Sequence, residues 1–301
     1  MNAYWKAEDL ESVGCDFCGG DSSRPICQRP DSLTVRECAT CGLAFLNPRP
    51  RKALIERIYR DGYFESDRSG VGYRTYLPAS FFPEIDLLES FRPVRGRRVV
   101  EIGCATGALL AELQRRGAEV CGVEPNLEAA KKAQELLQAP VYTGTIEMVA
   151  PADLARADVI VAFEVIEHVT SPRWFLERLR GLLKPGGQLV LTTPNYHCAR
   201  RFGAAWCGFT QSFEHLYFLS DEVLSRMAHR IGLEEKMWYT RGDGSPISPA
   251  PAENSLPRRL LRELSRIPVV AEAKYRFRGP AYVPYGQGHT LLAIYEKPAA
   301  S

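Results

Sequence analysis

The 301-residue sequence has no apolar run near the ~18 residues that a membrane-crossing helix needs. Its opening, MNAYWKAEDLES, carries charge early and lacks the apolar stretch of a secretory leader, so the expectation is a cytoplasmic chain. Charge of one sign is also scarce. The formal net charge is +2, too small for a global field that would gather nucleic acid or an anionic surface. Basic and aromatic residues are not interleaved as they are along a nucleic-acid groove. There is no internal repeat and no low-complexity tract, and the length suits one large domain with appendages and ample chain for a core.

Cysteine, by contrast, is plentiful, with nine in the chain. Cys15-x-x-Cys18-Gly and Cys38-x-x-Cys41-Gly form two matching knuckles separated by nineteen residues. Four thiolates at this spacing predict a Cys₄ zinc ribbon, with the glycine after each pair letting the knuckle turn. Two disulfides are the competing explanation, which a reducing compartment disfavours. A closed Cys₄ site has no open position for substrate, so its expected role is structural, in a lobe too short to build its own core. Cys104 and Cys121 fall in a turn and a strand, and Cys27, Cys198 and Cys207 show no pairing pattern.

The chemistry concentrates after Val99, where the chain reads VVEIGCATGALLAELQRRGAEVCGVEP. An apolar strand ends at Ile102, a small-residue turn runs from Gly103 to Gly107, helical character covers Ala108 to Leu113, and a β-rich run from Glu119 to Val123 ends on Glu124. A βαβ unit with a carboxylate about 20 residues past its first glycine grips an adenosine ribose. A dinucleotide turn wants G-x-G-x-x-G, which this one does not supply. A Rossmann-like turn that binds nothing is the open alternative.

The pattern E-x-G-x-x-x-G on Glu101, Gly103 and Gly107 resembles motif I of the class I S-adenosylmethionine (SAM) methyltransferases. It departs only at Ala105, where that family usually has glycine. The resemblance implies that Gly103, Cys104, Ala105 and Gly107 form the cofactor turn. Glu124, followed by Pro125, would accept from both ribose hydroxyls. Downstream, the buried-strand run Ala157–Phe163 leads into EVIEHV, then a helical stretch Pro172–Leu183, then Lys184-Pro185-Gly186-Gly187 and a strand Gln188–Thr193. EVIEHV…LLKPGGQLVLTTPN is similar to the second half of the same family, near its ubiquinone-type O-methyltransferase branch. The implied fold is α/β: a Rossmann-like seven-stranded sheet with helices on both faces, plus the small N-terminal zinc ribbon.

Glu164, Glu167 and His168 stand just past the fourth strand's carboxyl end, at i, i+3 and i+4, which share a face if a helical turn starts there. Three roles remain open. His168 could be a general base. Glu164, Glu167 and His168 could hold Mg²⁺, an arrangement resembling that of ubiquinone-type and small-RNA 2′-O-methyltransferases, with His215 as the completing histidine. Or the stretch could only order a loop. The family further implies adenine contacts at Ile146 and Glu147, and Phe163 and Glu164 bounding the methionine end. Tyr196, His197, Arg200 and Arg201 follow the fifth strand on the acceptor side.

The expected organisation is a zinc ribbon over 1–50, a helical lid over 51–94, the SAM-binding core over 95–240, an insertion over 241–287, and the last strand and tail over 288–301. Tyr59, Tyr63, Phe64, Tyr73 and Tyr76 of the lid are pocket or packing candidates. A capped helix over Ser220–Ile231, strands over Leu233–Thr240 and His289–Glu296, and a basic amphipathic helix over Pro257–Ile267 complete the expectations. That basic helix could make peripheral membrane contact, although packing on the acceptor face or on a partner suits it as well. The expected activity is SAM-dependent O- or C-methylation of a small-molecule acceptor, a sugar or natural-product intermediate. An RNA methyltransferase gripping nucleic acid through its ribbon, and a non-catalytic binding module, are the alternatives. Oligomeric state is open.

Overall fold

Buried runs of β-branched residues separated by amphipathic stretches build one central sheet with the ribbon laid against its edge helices. A computed structural model describes residues 5–61, 83–154, 156–210, 213–241 and 283–299. Tyr63, Phe64, Tyr73, Tyr76 and the helix expected over 257–267 lie outside the described residues.

The ribbon comes first: β1 (Leu10–Glu11), β2 (Ser23–Gln28), β3 (Thr34–Cys38), β4 (Ala44–Leu46) and β5 (Arg49–Pro50). Two helices follow, α1 (Lys52–Asp61) and α2 (Pro83–Phe91). Alternation then sets in: β6 (Arg98–Ile102), α3 (Ala108–Arg115), β7 (Glu119–Glu124), α4 (Leu127–Leu136), β8 (Val141–Thr143), α5 (Pro151–Leu154), β9 (Ala157–Phe163), α6 (Pro172–Leu182) and β10 (Leu183–Pro194). The chain continues through α7 (His197–Phe202), α8 (Cys207–Thr210), β11 (Tyr217–Phe218), α9 (Asp221–Arg230), β12 (Glu234–Arg241), β13 (Val283–Pro284) and β14 (Thr290–Glu296).

The main sheet has the order β13-β12-β14-β10-β9-β6-β7-β8, seven strands plus the two-residue edge β13. Strands β8, β7, β6, β9 and β10 are parallel, while β14 runs antiparallel to both β10 and β12. The order reverses between β6 and β9, and an open α/β sheet opens a crevice at such a switch point, outside the strands' carboxyl ends.

Successive residues of each strand serve opposite faces. Val99, Val120 and Val159 pack with α2, α3 and α4, whereas Val100, Cys121 and Ile160 pack with α6, α9 and the ribbon. The ribbon has no separate core: Leu33, Val35, Phe45 and Leu46 are continuous with Ile166, Phe175, Leu216 and Leu224. It is also tied on by polar contacts. Asp16, inside the first knuckle, accepts from the Ser171 hydroxyl (2.6 Å) and the Arg173 backbone N–H (2.8 Å), placing a carboxylate at the N-terminus of α6. The four-stranded ribbon sheet, β11-β4-β3-β2, takes its edge strand β11 from far along the chain, between α8 and α9.

One local expectation changes. The Lys184–Gly187 breaker does not separate helix from strand but belongs to β10, which starts at Leu183 and carries an irregularity before Gln188. The reason is pairing: Gly186 N–H donates to Lys297 (2.7 Å) and Lys297 N–H to Gly187 (2.9 Å), so the last strand's exit ties the segment to the sheet although Gly186 turns it at φ +73°. Among the described residues no helix is long and apolar enough to cross a membrane.

Candidate functional site

At the sheet's switch point lies a cavity of about 350 Å³. Four strand ends and two helices line it: Ile102, Gly103 and Ala105 at the end of β6; Glu124 and Pro125 at the end of β7; Gly144–Glu147 after β8; Phe163–Val165 and His168–Thr170 at the end of β9; Lys52, Ile55, Glu56 and Tyr59 of α1; and Phe175 of α6. Its size is that of a small-molecule site.

Backbone chemistry shapes the β6–α3 bend. Gly103 and Gly107 sit at φ +78° and +79°, and Ala105 adopts φ +47°, a left-handed conformation that glycine would take without strain. A Cβ on Gly103 would come within 2.7 Å of Val165, and one on Gly107 within 3.0–3.2 Å of Leu137 and Ala133 on α4. The bend is closed by Gly103 N–H donating to Val123 (2.8 Å) and by the Glu124 carboxylate. Glu124 Oε2 accepts from Ala105 N–H and Oε1 from Asn126 N–H, both at 2.8 Å. The carboxylate thus faces the bend with lone pairs on both oxygens left over. Burial pushes Glu124 up to about 7 against the pull of these two donors.

Glu101 lies beneath the bend and does not line the cavity; burial, reinforced by the Glu124 charge, pushes it up to about 8. Its Oε2 and the Thr145 Oγ1 are buried with no hydrogen-bond partner. The Thr145 hydroxyl, which lines the cavity, and the spare lone pairs of Glu124 suit a polyhydroxylated, cationic nucleoside. Cys104 turns the other way: its sulfur fills the space over Gly122, where a Cβ would meet it at 2.6 Å, so the structure puts its side chain in the core. Ile146 and Glu147 line the β8 side, with Glu147 3.4 Å from Lys52 of α1.

Glu164 holds φ +54°, a strained conformation for a carboxylate residue at a cavity wall. Its N–H donates to the Thr192 carbonyl and hydroxyl oxygens (3.0 and 3.1 Å). Solvent reaches it through the cavity, yet the enclosing walls push its carboxyl up to about 7.

Deeper in, the structure brings Glu167, His168 and His215 together, with one ligand-type atom of each within 4.8 Å of the others. Glu167 Oε1 lies 3.7 Å from His168 Nε2 and 4.0 Å from His215 Nε2, and it accepts no hydrogen bond. Glu167 Oε2 accepts from the Thr193 hydroxyl at 3.0 Å. The two imidazoles meet edge-on with centroids 4.7 Å apart. Burial holds His168 down to about 4, and burial together with His168 and Arg29 holds His215 well below its ordinary value; burial, then the Glu164 charge, raises Glu167. Both histidines are therefore neutral near pH 7, as a base or a ligand must be. One carboxylate and two imidazoles would suit a borderline transition-metal ion better than Mg²⁺, which prefers oxygen donors. Glu164 stands outside this trio, so the four-residue Mg²⁺ set expected from sequence is not assembled.

Of two further contributors, Tyr59 was among the pocket candidates of the lid and Asn126 was not foreseen. Tyr59 places its hydroxyl 2.6 Å from His168 Nδ1. Asn126 caps α4 through Ala129 N–H (2.9 Å) and holds the end of α1 by the Tyr59 and Arg60 carbonyls (3.1 and 3.2 Å). An asparagine directly before a helical run was a legible capping signal. On the acceptor side, Tyr196 is buried with its hydroxyl on Glu37 (3.2 Å), His197 starts α7, and Arg200 pairs with Glu222 at 3.3 Å. Arg201 lies over the Phe202 ring. None of these four lines the cavity.

The second cluster is the Cys₄ group. All four sulfurs lie within 4.8 Å of one another, with Cys15–Cys41 at 3.3 Å and Cys18–Cys38 at 3.5 Å, and none is disulfide-bonded. Each knuckle closes on its glycine: Gly19 (φ +74°) donates to Cys15 and Gly42 (φ +75°) to Cys38, at 2.8 and 2.9 Å. Burial pushes Cys15 up to about 11 and Cys41 higher still, whereas at Cys38 burial is overcome by hydrogen bonds from the Cys41 and Thr40 backbone and from Cys18, which lower the thiol to about 7. This compact all-sulfur donor set fits zinc, which would deprotonate it.

Comparisons with known proteins agree with this geometry. A family described as "Methyltransferase domain" matches residues 73–235, more than half of the chain. The chain is 39% identical over 112 residues to a ubiquinone biosynthesis O-methyltransferase of Rhodopseudomonas palustris (strain BisB18), covering 36% of this chain and 43% of that one. It is 34% identical over 107 residues to the enzyme of the same description from Alkalilimnicola ehrlichii, covering 34% and 43%. The chain thus spans less than half the length of these curated relatives. Among solved structures, a SAM-dependent methyltransferase from Thermotoga maritima superposes with a TM-score of 0.50 at 20% identity, covering 72% of this chain and 89% of that one. Magnesium protoporphyrin IX methyltransferase from Synechocystis PCC 6803, solved with bound SAM, gives 0.50 at 12% identity over 82% and 96%. With the family match, the strand order and the glycine bend in agreement, the chain belongs to the methyltransferase-domain family and has the class I SAM-dependent methyltransferase fold.

Proposed function

We propose that the chain is a SAM-dependent methyltransferase acting on a hydroxyl of a small-molecule acceptor, a sugar or natural-product intermediate. One observation carries this: the Glu124 carboxylate is fixed by two backbone N–H groups at the rim of the Gly103–Gly107 bend and faces a cavity at the sheet's switch point. Bound there, SAM supplies a methyl group on a sulfonium that is already a good leaving group, so the protein's task is alignment.

Glu124 would accept from the ribose hydroxyls, Ile146 and Glu147 would bound the adenine, and Phe163 and Glu164 the methionine end. His168 is our candidate proton acceptor, through Nδ1, where the Tyr59 hydroxyl now sits. The imidazolium so formed would be stabilised by Glu167 facing Nε2, as a buried carboxylate stabilises a catalytic histidine. His215 would pack the far side of that pair. In this reading residues 1–50 are the zinc ribbon, 51–94 the lid, 95–240 the cofactor-binding core, 241–287 an insertion and 288–301 the last strand and tail.

Calorimetric titration with S-adenosylhomocysteine tests the pocket, and transfer of labelled methyl from SAM to a panel of phenols, sugars and polyols tests the activity. Binding weakened on the order of 10²-fold in Glu124→Gln, and transfer lost in His168→Asn while binding persists, are expected. A wild-type chain that binds no S-adenosylhomocysteine would remove the proposal.

A further inference from the structure

The ribbon reaches the Glu167–His168–His215 cluster. Its β2–β3 hairpin turns at residues 29–33, with Ser32 at φ +71° and Arg29 N–H on the Leu33 carbonyl at 2.8 Å. At that tip Arg29 and Asp31 form an ion pair whose side chains are both 0% exposed. The guanidinium uses its whole fork. Nε donates to Asp31 Oδ1 (3.1 Å) and Nη2 to Asp31 Oδ2; Nη1 donates to the His215 carbonyl (3.0 Å) and Nη2 also to the Phe213 carbonyl (2.9 Å). Trp5 fixes Asp31 in turn through Nε1 (2.9 Å). Just beyond His215, Leu216 and Tyr217 donate to the Glu167 carbonyl (2.9 and 3.1 Å), Leu46 of the ribbon donates to Leu216 (2.9 Å), and Tyr217–Phe218 pair with Phe45 and Ala44.

His215 is thus carried on a segment gripped by the ribbon on one side and by the backbone of Glu167 on the other. A buried ion pair is a weak way to stabilise a fold, since desolvating both charges offsets most of their attraction. A planar fork that spans two carbonyls and a carboxylate is, however, a strong way to fix a loop. We infer that Arg29 is a positioning residue for the Glu167–His168–His215 cluster, so that the ribbon sets the geometry of this part of the site. The meaning of that geometry for catalysis rests on the function proposed above; the grip on His215 does not.

The test uses the full chain with ¹³C-labelled histidines. The wild type should show a cross-relaxation peak between the His168 and His215 rings, given their 4.7 Å centroid separation. In Arg29→Lys an ammonium cannot serve both carbonyls and Asp31 together, so that peak should weaken or vanish. Amide exchange at residues 216–218 should also rise about tenfold or more, while exchange in β6 and β7 and affinity for S-adenosylhomocysteine stay at wild-type values. Arg29→Met should show the larger effect; if it fails to fold, Arg29→Lys alone decides. A wild-type ring contact and wild-type exchange at 216–218 in Arg29→Lys would overturn the inference, as would exchange that rises equally across the sheet. Absence of S-adenosylhomocysteine binding in the wild type would count against the proposed function only, because ring contact and exchange are read without ligand.

Discussion

The Cys₄ ribbon and the β6–α3 bend are both short loops turned by left-handed glycines, yet they present opposite kinds of site. In the ribbon, Gly19 and Gly42 close the knuckles so that four sulfurs point at one another and nothing is left for a substrate. In the bend, Gly103 and Gly107 turn the backbone, and the Glu124 carboxylate that braces it faces a cavity. The first arrangement is complete once a metal neutralises it; the second leaves the Thr145 hydroxyl and spare lone pairs of Glu124 facing the cavity. The lesson is that a glycine turn is only a hinge, and the residues it aims decide between scaffold and site.

The comparison breaks most visibly at the metal. Purified protein should carry one zinc per chain, and a chelator or Cys38→Ser should unfold the ribbon, because metal–thiolate binding in small zinc modules is worth on the order of 10 kcal/mol of folding free energy. Metal analysis with thermal unfolding checks this, and a zinc-free, equally stable chain would refute it. Protection at residues 216–218 should fall with it, since β11 belongs to the ribbon sheet.

Next in size is Glu124→Gln. An amide has one acceptor oxygen where Ala105 and Asn126 need two, so affinity for S-adenosylhomocysteine should drop on the order of 10²-fold in calorimetry. The ribbon should be untouched.

A subtler contrast lies in pH. The folded chain raises Glu101 to about 8 and Glu124 and Glu164 to about 7, from an ordinary 4.5. It therefore holds more protons than the unfolded chain between those values, and stability falls as pH rises through them. Buried His168 and His215 act in the opposite direction, but only below their ordinary 6.5. Thermal unfolding without ligand should accordingly weaken from pH 6.5 to 8. Cationic SAM should stabilise more at the upper end and release protons on binding, measurable in buffers of different ionisation enthalpy. Uptake instead of release would contradict the assignment.

The smallest effect is expected for Ala105→Gly. Relief of the left-handed strain, about 1 kcal/mol, and the entropy of glycine, about 0.5–1 kcal/mol, nearly cancel, so urea unfolding should shift by less than about 1 kcal/mol. A larger loss would mean that the Ala105 methyl packs on something the bend needs.

Much of both sites was legible because it is local. The knuckles span four residues each, and the bend, its glycines and Glu124 fall within a single βαβ unit, where pattern and geometry are the same information. What failed locally failed for tertiary reasons. Cys104 lies in the β6–α3 bend, but the direction of its side chain depends on the room above Gly122 in the neighbouring strand. Lys184–Gly187 reads as a break, but the exit of the last strand pairs with it.

The glycine bend, the Cys₄ knuckles and the succession Glu164, Glu167, His168 at the end of β9 were set by the sequence, since each lies within a few residues or a single βαβ unit. Only the tertiary structure decided that Tyr59 meets His168, that Glu164 stands apart from the Glu167–His168–His215 trio, and that Arg29 grips the carbonyl of His215, 186 positions away. Such partners are chosen by how helices and sheets pack, and packing leaves no periodic trace in the residues it brings together.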